Sequence, residues 1–127
     1  MVGGVGGFRE LGAWRYGMEL AVRVFDATEE VAGEAIRSAA LEIPQRIATG
    51  WMDGRPKIWA RCVAMAQGAL ERLEAEARQL WAAPDARLLE LAEEVRRTLD
   101  ALPAAPMPVP SVEPAAIETV EVEAIAA

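Results

Sequence analysis

The stretch PKIWARCVAMAQGALERLEAEARQLWA, Pro56 to Ala82, decides how the chain is read. Within it Trp59, Val63, Ala66, Leu70, Leu73, Ala77 and Leu80 recur at alternating steps of four and three. Residues so spaced share one face of a helix with 3.6 residues per turn, so the stretch reads as a helix with one apolar stripe. At ~1.5 Å per residue it spans roughly 40 Å. Pro56 suits the first helical position, where its missing N–H leaves nothing unsatisfied and its φ is already helical. Gly68, in the middle, costs ~1 kcal/mol against alanine. Its expected use is the close approach of a neighbouring helix.

Similar patterns extend on both sides. Pro84 and Asp85 open a segment reaching Leu102, with Leu88, Ala92, Val95, Leu99 and Leu102 at the same spacing. Glu90, Glu93, Glu94, Arg96 and Arg97 fill its other face, a solvated surface with helical ion pairs worth about 0.3–0.5 kcal/mol each. On the amino side, Glu34 to Trp51 carries Ile36, Ala40, Ile43 and Ile47. Pro44 lies inside it. A proline there deletes one backbone hydrogen bond and crowds the preceding turn, which predicts a kink or local break. Gly50 and Gly54 flank Trp51, Met52 and Asp53, which reads as a turn.

The first segment, Phe8 to Val31, has two apolar stripes. One holds Leu11, Trp14, Met18, Ala21 and Phe25; the other holds Ala13, Gly17, Leu20, Val24, Ala27 and Val31. Arg15, Glu19, Arg23, Asp26 and Glu30 make the third side. The apolar arc is wider than one neighbour needs. Either this helix is buried between two others, or one stripe faces the core and the other a second subunit. On the second reading Ala13, Gly17, Leu20 and Val24 form the oligomer interface.

Short loops between four heptad-patterned segments imply antiparallel neighbours. The expected fold is all-α: an antiparallel up-down four-helix bundle over residues 8–102. A Gly-rich leader (1–7) precedes it and a Pro-rich acidic tail (103–127) follows. The tail holds five of the eight prolines, Pro103, Pro106, Pro108, Pro110 and Pro114, and reads as an extended, disordered linker of polyproline character. Its last part, Ala115 to Ala127, sets Ile117, Val120, Val122 and Ile125 among glutamates. It is either simply disordered or a short segment that orders on a protein partner.

The 127 residues fit one domain, and 53% hydrophobic residues make a packed core feasible. Net charge is −7, from 13 basic and 20 acidic residues, which argues against generic nucleic-acid binding. The tail accounts for Glu113, Glu118, Glu121 and Glu123 with no base, leaving 16 acids against 13 bases, a balance of −3. Cys62 is the single cysteine, so no intramolecular disulfide can form, which suits a reducing cytoplasm. Met1 to Gly7 lacks the basic and apolar parts of a signal peptide, and no apolar run approaches the ~20 residues of a membrane span. A cytoplasmic protein is expected.

Catalytic chemistry is hard to place. The chain has no histidine, the commonest general base and metal ligand. A carboxylate-bridged diiron centre would need Glu-x-x-His pairs. Glu71 and Glu74 are more simply surface charges than metal ligands. No phosphate-binding loop is present, and the leading glycines lack the strand of a dinucleotide site. Cys62 lies near the apolar stripe and reads as buried filler. No enzyme activity, cofactor or metal is expected.

One local charge feature stands out. Arg46, Arg55, Lys57 and Arg61 gather around the second turn against Asp53, with Trp51 and Trp59 among them. Basic residues interleaved with aromatics suit single-stranded nucleic acid or a phosphorylated surface. The plainer reading is an exposed turn whose arginines pair with acids elsewhere.

Three stretches together, FRELGAWRYGMEL (Phe8 to Leu20), IRSAALEIPQRIATGW (Ile36 to Trp51) and ARCVAMAQGALERLEAEARQL (Ala60 to Leu80), carry a resemblance. The chain resembles the four-helix-bundle family first noticed in intervening sequences of bacterial large-subunit ribosomal RNA genes. That family includes the accessory variability determinant of diversity-generating retroelements. Ile36, Arg37, Ala39, Ala40, Ile43, Pro44, Ile47, Ala48 and Gly50 match its pattern, as do Gly68, Leu73 and Glu74. Glu42, Arg46, Thr49 and Ala69 depart from it, and the link between Thr28 and Ile36 is shorter than is usual. The resemblance covers roughly residues 8–102. It implies an up-down bundle, ring-like pentamers and no enzyme activity.

The functional expectation is a non-catalytic homo-oligomeric scaffold, pentameric by resemblance, that binds a protein partner. The alternative is a nucleic-acid-binding accessory subunit of a reverse transcriptase, acting through Arg46, Arg55, Lys57 and Arg61.

Overall fold

The computed structural model describes residues 7–28 and 33–106. Most of the Gly-rich leader, Glu30 and Val31, and the tail from residue 107 lie outside the described residues. Four α-helices and no strand occur among those described: α1 (Gly12–Ala27), α2 (Glu34–Asp53), α3 (Pro56–Leu80) and α4 (Ala86–Asp100). The first segment opens as a short 3-10 turn, Phe8–Glu10, then passes through extended Leu11 into α1. Phe8 stands edge-on to Trp14 at 5.5 Å, seating this turn on the helix.

Each helix packs on its neighbours in chain order, and α4 returns to α1. One core runs through all four. It holds Leu20 and Val24 of α1, Ile36, Ile43 and Ile47 of α2, Trp59, Leu70 and Leu73 of α3, and Leu88, Val95 and Leu99 of α4. Each large apolar side chain so buried contributes about 1.5–3 kcal/mol, against about 0–1 kcal/mol for an exposed ion pair, so the apolar faces decide the fold.

Several helix ends follow their sequence signals. Pro56 is the first residue of α3. Gly54 closes α2 with φ +83, a left-handed conformation that costs glycine little, and its N–H returns to the Gly50 carbonyl at 3.2 Å. Asp85 caps α4 by accepting the Leu88 N–H at 3.1 Å. The same carboxylate accepts Arg23 Nε of α1 at 2.5 Å, so the cap also fixes α4 to α1. At the C-terminus of α1, Arg37 of α2 donates to Thr28 Oγ1 at 3.0 Å, and the Thr28 hydroxyl donates to the Val24 carbonyl at 2.9 Å.

Three local expectations need correction. α2 does not break at Pro44 and runs unbroken through it. The Pro44 ring is buried against Gly17 of α1, where a Cβ would lie 3.5 Å from its Cδ and 3.3 Å from Ile43 Cγ2. Packing against α1 therefore holds the proline inside the helix. Gly50 belongs to the last turn of α2 rather than to the loop. Gly68 is not the point of close approach: a Cβ there would meet nothing nearer than an Arg72 guanidinium nitrogen at 3.9 Å.

The close approach is at Gly50. A Cβ on it would fall 2.8 Å from Cys62 Cβ and 3.0 Å from Trp59 Cε3. Gly50→Ala is expected to destabilise the fold by about 1–3 kcal/mol, because α3 would have to move away. Gly68→Ala, in open space, is expected to stabilise it by about 0.5–1 kcal/mol. Denaturant unfolding of both variants followed by far-ultraviolet circular dichroism checks the opposite signs.

Candidate functional site

Two surfaces carry the candidate residues. The first is the end of the molecule where α2 turns into α3. Arg55, Lys57 and Arg61 lie together in this turn and the first turns of α3, all exposed. Arg46 stands apart, further back on α2. Its Nε pairs with Glu42 at 3.2 Å, and Arg72 of α3 reaches the same carboxylate. Arg55 folds onto Asp53, with Nε to Oδ1 at 2.8 Å and Nη2 to Oδ2 at 2.9 Å. The Arg55 backbone N–H adds a third bond, to Oδ1 at 3.2 Å. Lys57 and Arg61 have no acidic partner among the described residues.

The two tryptophans differ in role. Trp59 is buried, and its indole Nε1 donates to the Pro103 carbonyl at 2.8 Å. It is therefore not available to stack on a base, and instead fastens the start of the Pro-rich segment to α3. Trp51 is half-buried and meets Trp59 edge-to-face at 5.5 Å. Met52 beside it is 74% exposed. Spacing alone gives no signal for the Trp59–Pro103 bond, which joins residues 44 positions apart.

The second surface is the outer side of α1. Ala13, Gly17, Leu20 and Val24, the anticipated subunit interface, are all buried within the chain's own core. Gly17 lies against Pro44 and Ile43, and Leu20 and Val24 are 0% exposed. The other stripe is divided: Met18 is 37% and Phe25 45% exposed, Leu11 and Trp14 are half-buried against the core, and Ala21 is buried within it. Val22 belongs to neither expected stripe, yet it is 57% exposed and continues the ridge from Met18 to Phe25. Its position four residues after Met18 and three before Phe25 is the signal that could have placed it.

Beside this ridge an open groove of about 400 Å³ runs between α1 and α4, with Met18, Val22 and Leu91 as its apolar part. Glu19, Arg23, Asp26 and Arg87 surround them, so both signs of charge edge the groove. Arg87 also lies 3.5 Å from Glu19 across the two helices. The hydrogen bond from Arg23 holds the Asp85 carboxyl below the usual range, and the same bond raises Arg23.

Two further chemistry-bearing residues, Cys62 and Glu74, are engaged in structure. Cys62 is buried against α2. Glu74 pairs with Arg96, whose affinity for its proton rises chiefly through that bond. Among the described residues, no group of three potential metal ligands comes together, and no helix is long and apolar enough to cross a membrane.

No protein-family model matches the chain, and no curated protein or solved structure matches it either.

Asp53 provides a direct check on the geometry of the basic end. Its side-chain bonds from Arg55, then the Arg55 backbone N–H, hold its carboxyl down to about 2. A depressed carboxylate favours the folded form above the ordinary carboxylate range, and that contribution fades as pH falls through about 2. Carbon-detected NMR titration should place the Asp53 midpoint near 2. In Arg55→Ala the midpoint should rise toward the ordinary value but not reach it, because the backbone bond remains.

Proposed function

We propose that the protein is a non-catalytic helical scaffold that assembles with copies of itself and binds a protein partner. The observation that carries this reading is the apolar ridge of Met18, Val22 and Phe25, exposed beside the α1–α4 groove. Adjoining apolar side chains left in water favour a covering surface. The groove's edge carries both signs of charge, so a second copy can match it by exchanging within-chain pairs such as Arg87–Glu19 for pairs between chains. The proposed interface is thus the Met18, Val22 and Phe25 ridge of α1, not the Ala13, Gly17, Leu20 and Val24 stripe. Five copies is the number implied by the resemblance to the intervening-sequence family, which belongs to the same proposal.

The proposed topology is antiparallel and up-down. Gly54 and Arg55 alone link α2 to α3, too short a link for parallel neighbours, and the order of helix contacts is cyclic. The absence of histidine from the sequence supports a non-catalytic role. The tail beyond Pro106 is the proposed docking segment for the protein partner.

Light scattering on the full chain at micromolar concentration tests assembly. A mass near five chains is expected, and a monodisperse monomer would count decisively against the scaffold. Val22→Glu with Phe25→Glu should reduce the mass to that of one chain while leaving helix content unchanged. Leu20→Glu, in the core, should instead abolish the helical signal.

A second reading, a nucleic-acid-binding accessory subunit of a reverse transcriptase, draws on exposed Lys57 and Arg61. The pairing of Arg46 and Arg55 and the burial of Trp59 weigh against it. It predicts salt-sensitive binding of single-stranded or hybrid nucleic acid, lost in Lys57→Glu with Arg61→Glu. Fluorescence anisotropy with a labelled oligonucleotide at low salt reads this, and no binding there removes it.

A further inference from the structure

The Trp59–Pro103 hydrogen bond brings the start of the acidic tail to the basic end of the molecule. Trp59 shares the first turns of α3 with Lys57 and Arg61, so the 2.8 Å bond brings Pro103 to the same end of the molecule as both cations, which lie on the outer face of α3, opposite buried Trp59. Leu102 packs on the same core, which fixes the approach of the chain. This end combines two characters: exposed positive charge at Lys57 and Arg61, and exposed apolar surface at Met52. The backbone N–H groups that open α3 have no side-chain cap, which adds positive potential to the same place.

The sequence beyond Pro106 has the complementary composition. It carries Glu113, Glu118, Glu121 and Glu123 with no base, interleaved with Ile117, Val120, Val122 and Ile125. Reach is ample. At ~3.1 Å per residue for an extended Pro-rich chain, the seven residues from Pro106 to Glu113 can span about 22 Å, against the roughly 10–12 Å diameter of the helix that separates the Trp59 face from that of Lys57 and Arg61. Attachment through Pro103 also gives the tail a high effective concentration at this end, in the millimolar range for a short tether.

We infer that residues 113–125 fold back onto their own chain's basic end, their glutamates on Lys57 and Arg61 and their apolar side chains over Met52. The proposal does not depend on assembly through α1. It makes the tail an intramolecular competitor for the two exposed cations. A polyanion seeking them must first displace it, and a partner that captures the tail uncovers them.

Lys57 is the only lysine in the chain, which makes the test specific. A carbodiimide joins an ammonium to a carboxylate in contact without adding a spacer. Applied to the full chain at low concentration, it should link Lys57 to Glu113, Glu118, Glu121 or Glu123. Peptide mass spectrometry identifies the link, and molar salt should reduce its yield at least several-fold. A mixture of isotope-labelled and unlabelled protein should show the link within single chains. The full-length variant with Glu113, Glu118, Glu121 and Glu123 each changed to Gln should shift the backbone amide resonances of Arg55 and Lys57 to Arg61. The proposal is overturned by no link, by links from Lys57 only to Asp53 or other helical acids, by links between chains, or by unchanged resonances in the Gln variant.

Discussion

Where α2 meets α3, the gap between the helices is set by a side chain that is not there. Gly50 lets Cys62 and Trp59 come so close that a single added carbon would overlap them. Trp59, the largest of the fully buried side chains, can enter the core because of this closeness. Once there, its ring braces Trp51 and its N–H holds Pro103. One constraint thus ties together the end of α2, the start of α3 and the chain leaving α4. The Gly54 cap, with φ +83, makes the reversal abrupt enough for the two helices to meet at that distance.

A second fastening lies at the other end of α4. Asp85 satisfies the first turn of that helix and binds Arg23 of α1 with one carboxylate. The charged surface repeats this arrangement: Glu42 holds both Arg46 and Arg72, and Glu74 holds Arg96. Such pairs contribute little individually, about 0–1 kcal/mol at exposed positions, so their main effect is on register. They also take up much of the positive charge near α2. Lys57 and Arg61 matter because this pairing does not extend to them.

The helices were legible in the sequence because apolar spacing is a property of one segment at a time. The α3 stripe from Trp59 to Ala77, Pro56 at its start and Asp85 before α4 all stand where the pattern puts them. What spacing does not encode is which of two apolar faces meets a neighbour. On α1 both stripes are apolar, and residue size decides. Ala13 and Gly17 allow a neighbouring helix to approach closely, whereas Met18 and Phe25 are too bulky to fit between backbones and turn outward. Gly50 and Gly68 show the same limit: each interrupts an apolar pattern, but only one faces another helix. The candidate basic site was legible as composition. Its true extent was not, because the partners of Arg46 and Trp59 depend on contacts that local spacing does not specify.

The position of Cys62 gives the molecule a built-in clock. Its sulfur sits 3.2 Å from where a Gly50 Cβ would be, inside the closest contact between α2 and α3. A thiol reagent can reach it only while those helices stand apart. Because no other thiol competes, the rate of its modification in excess reagent measures how often that contact parts.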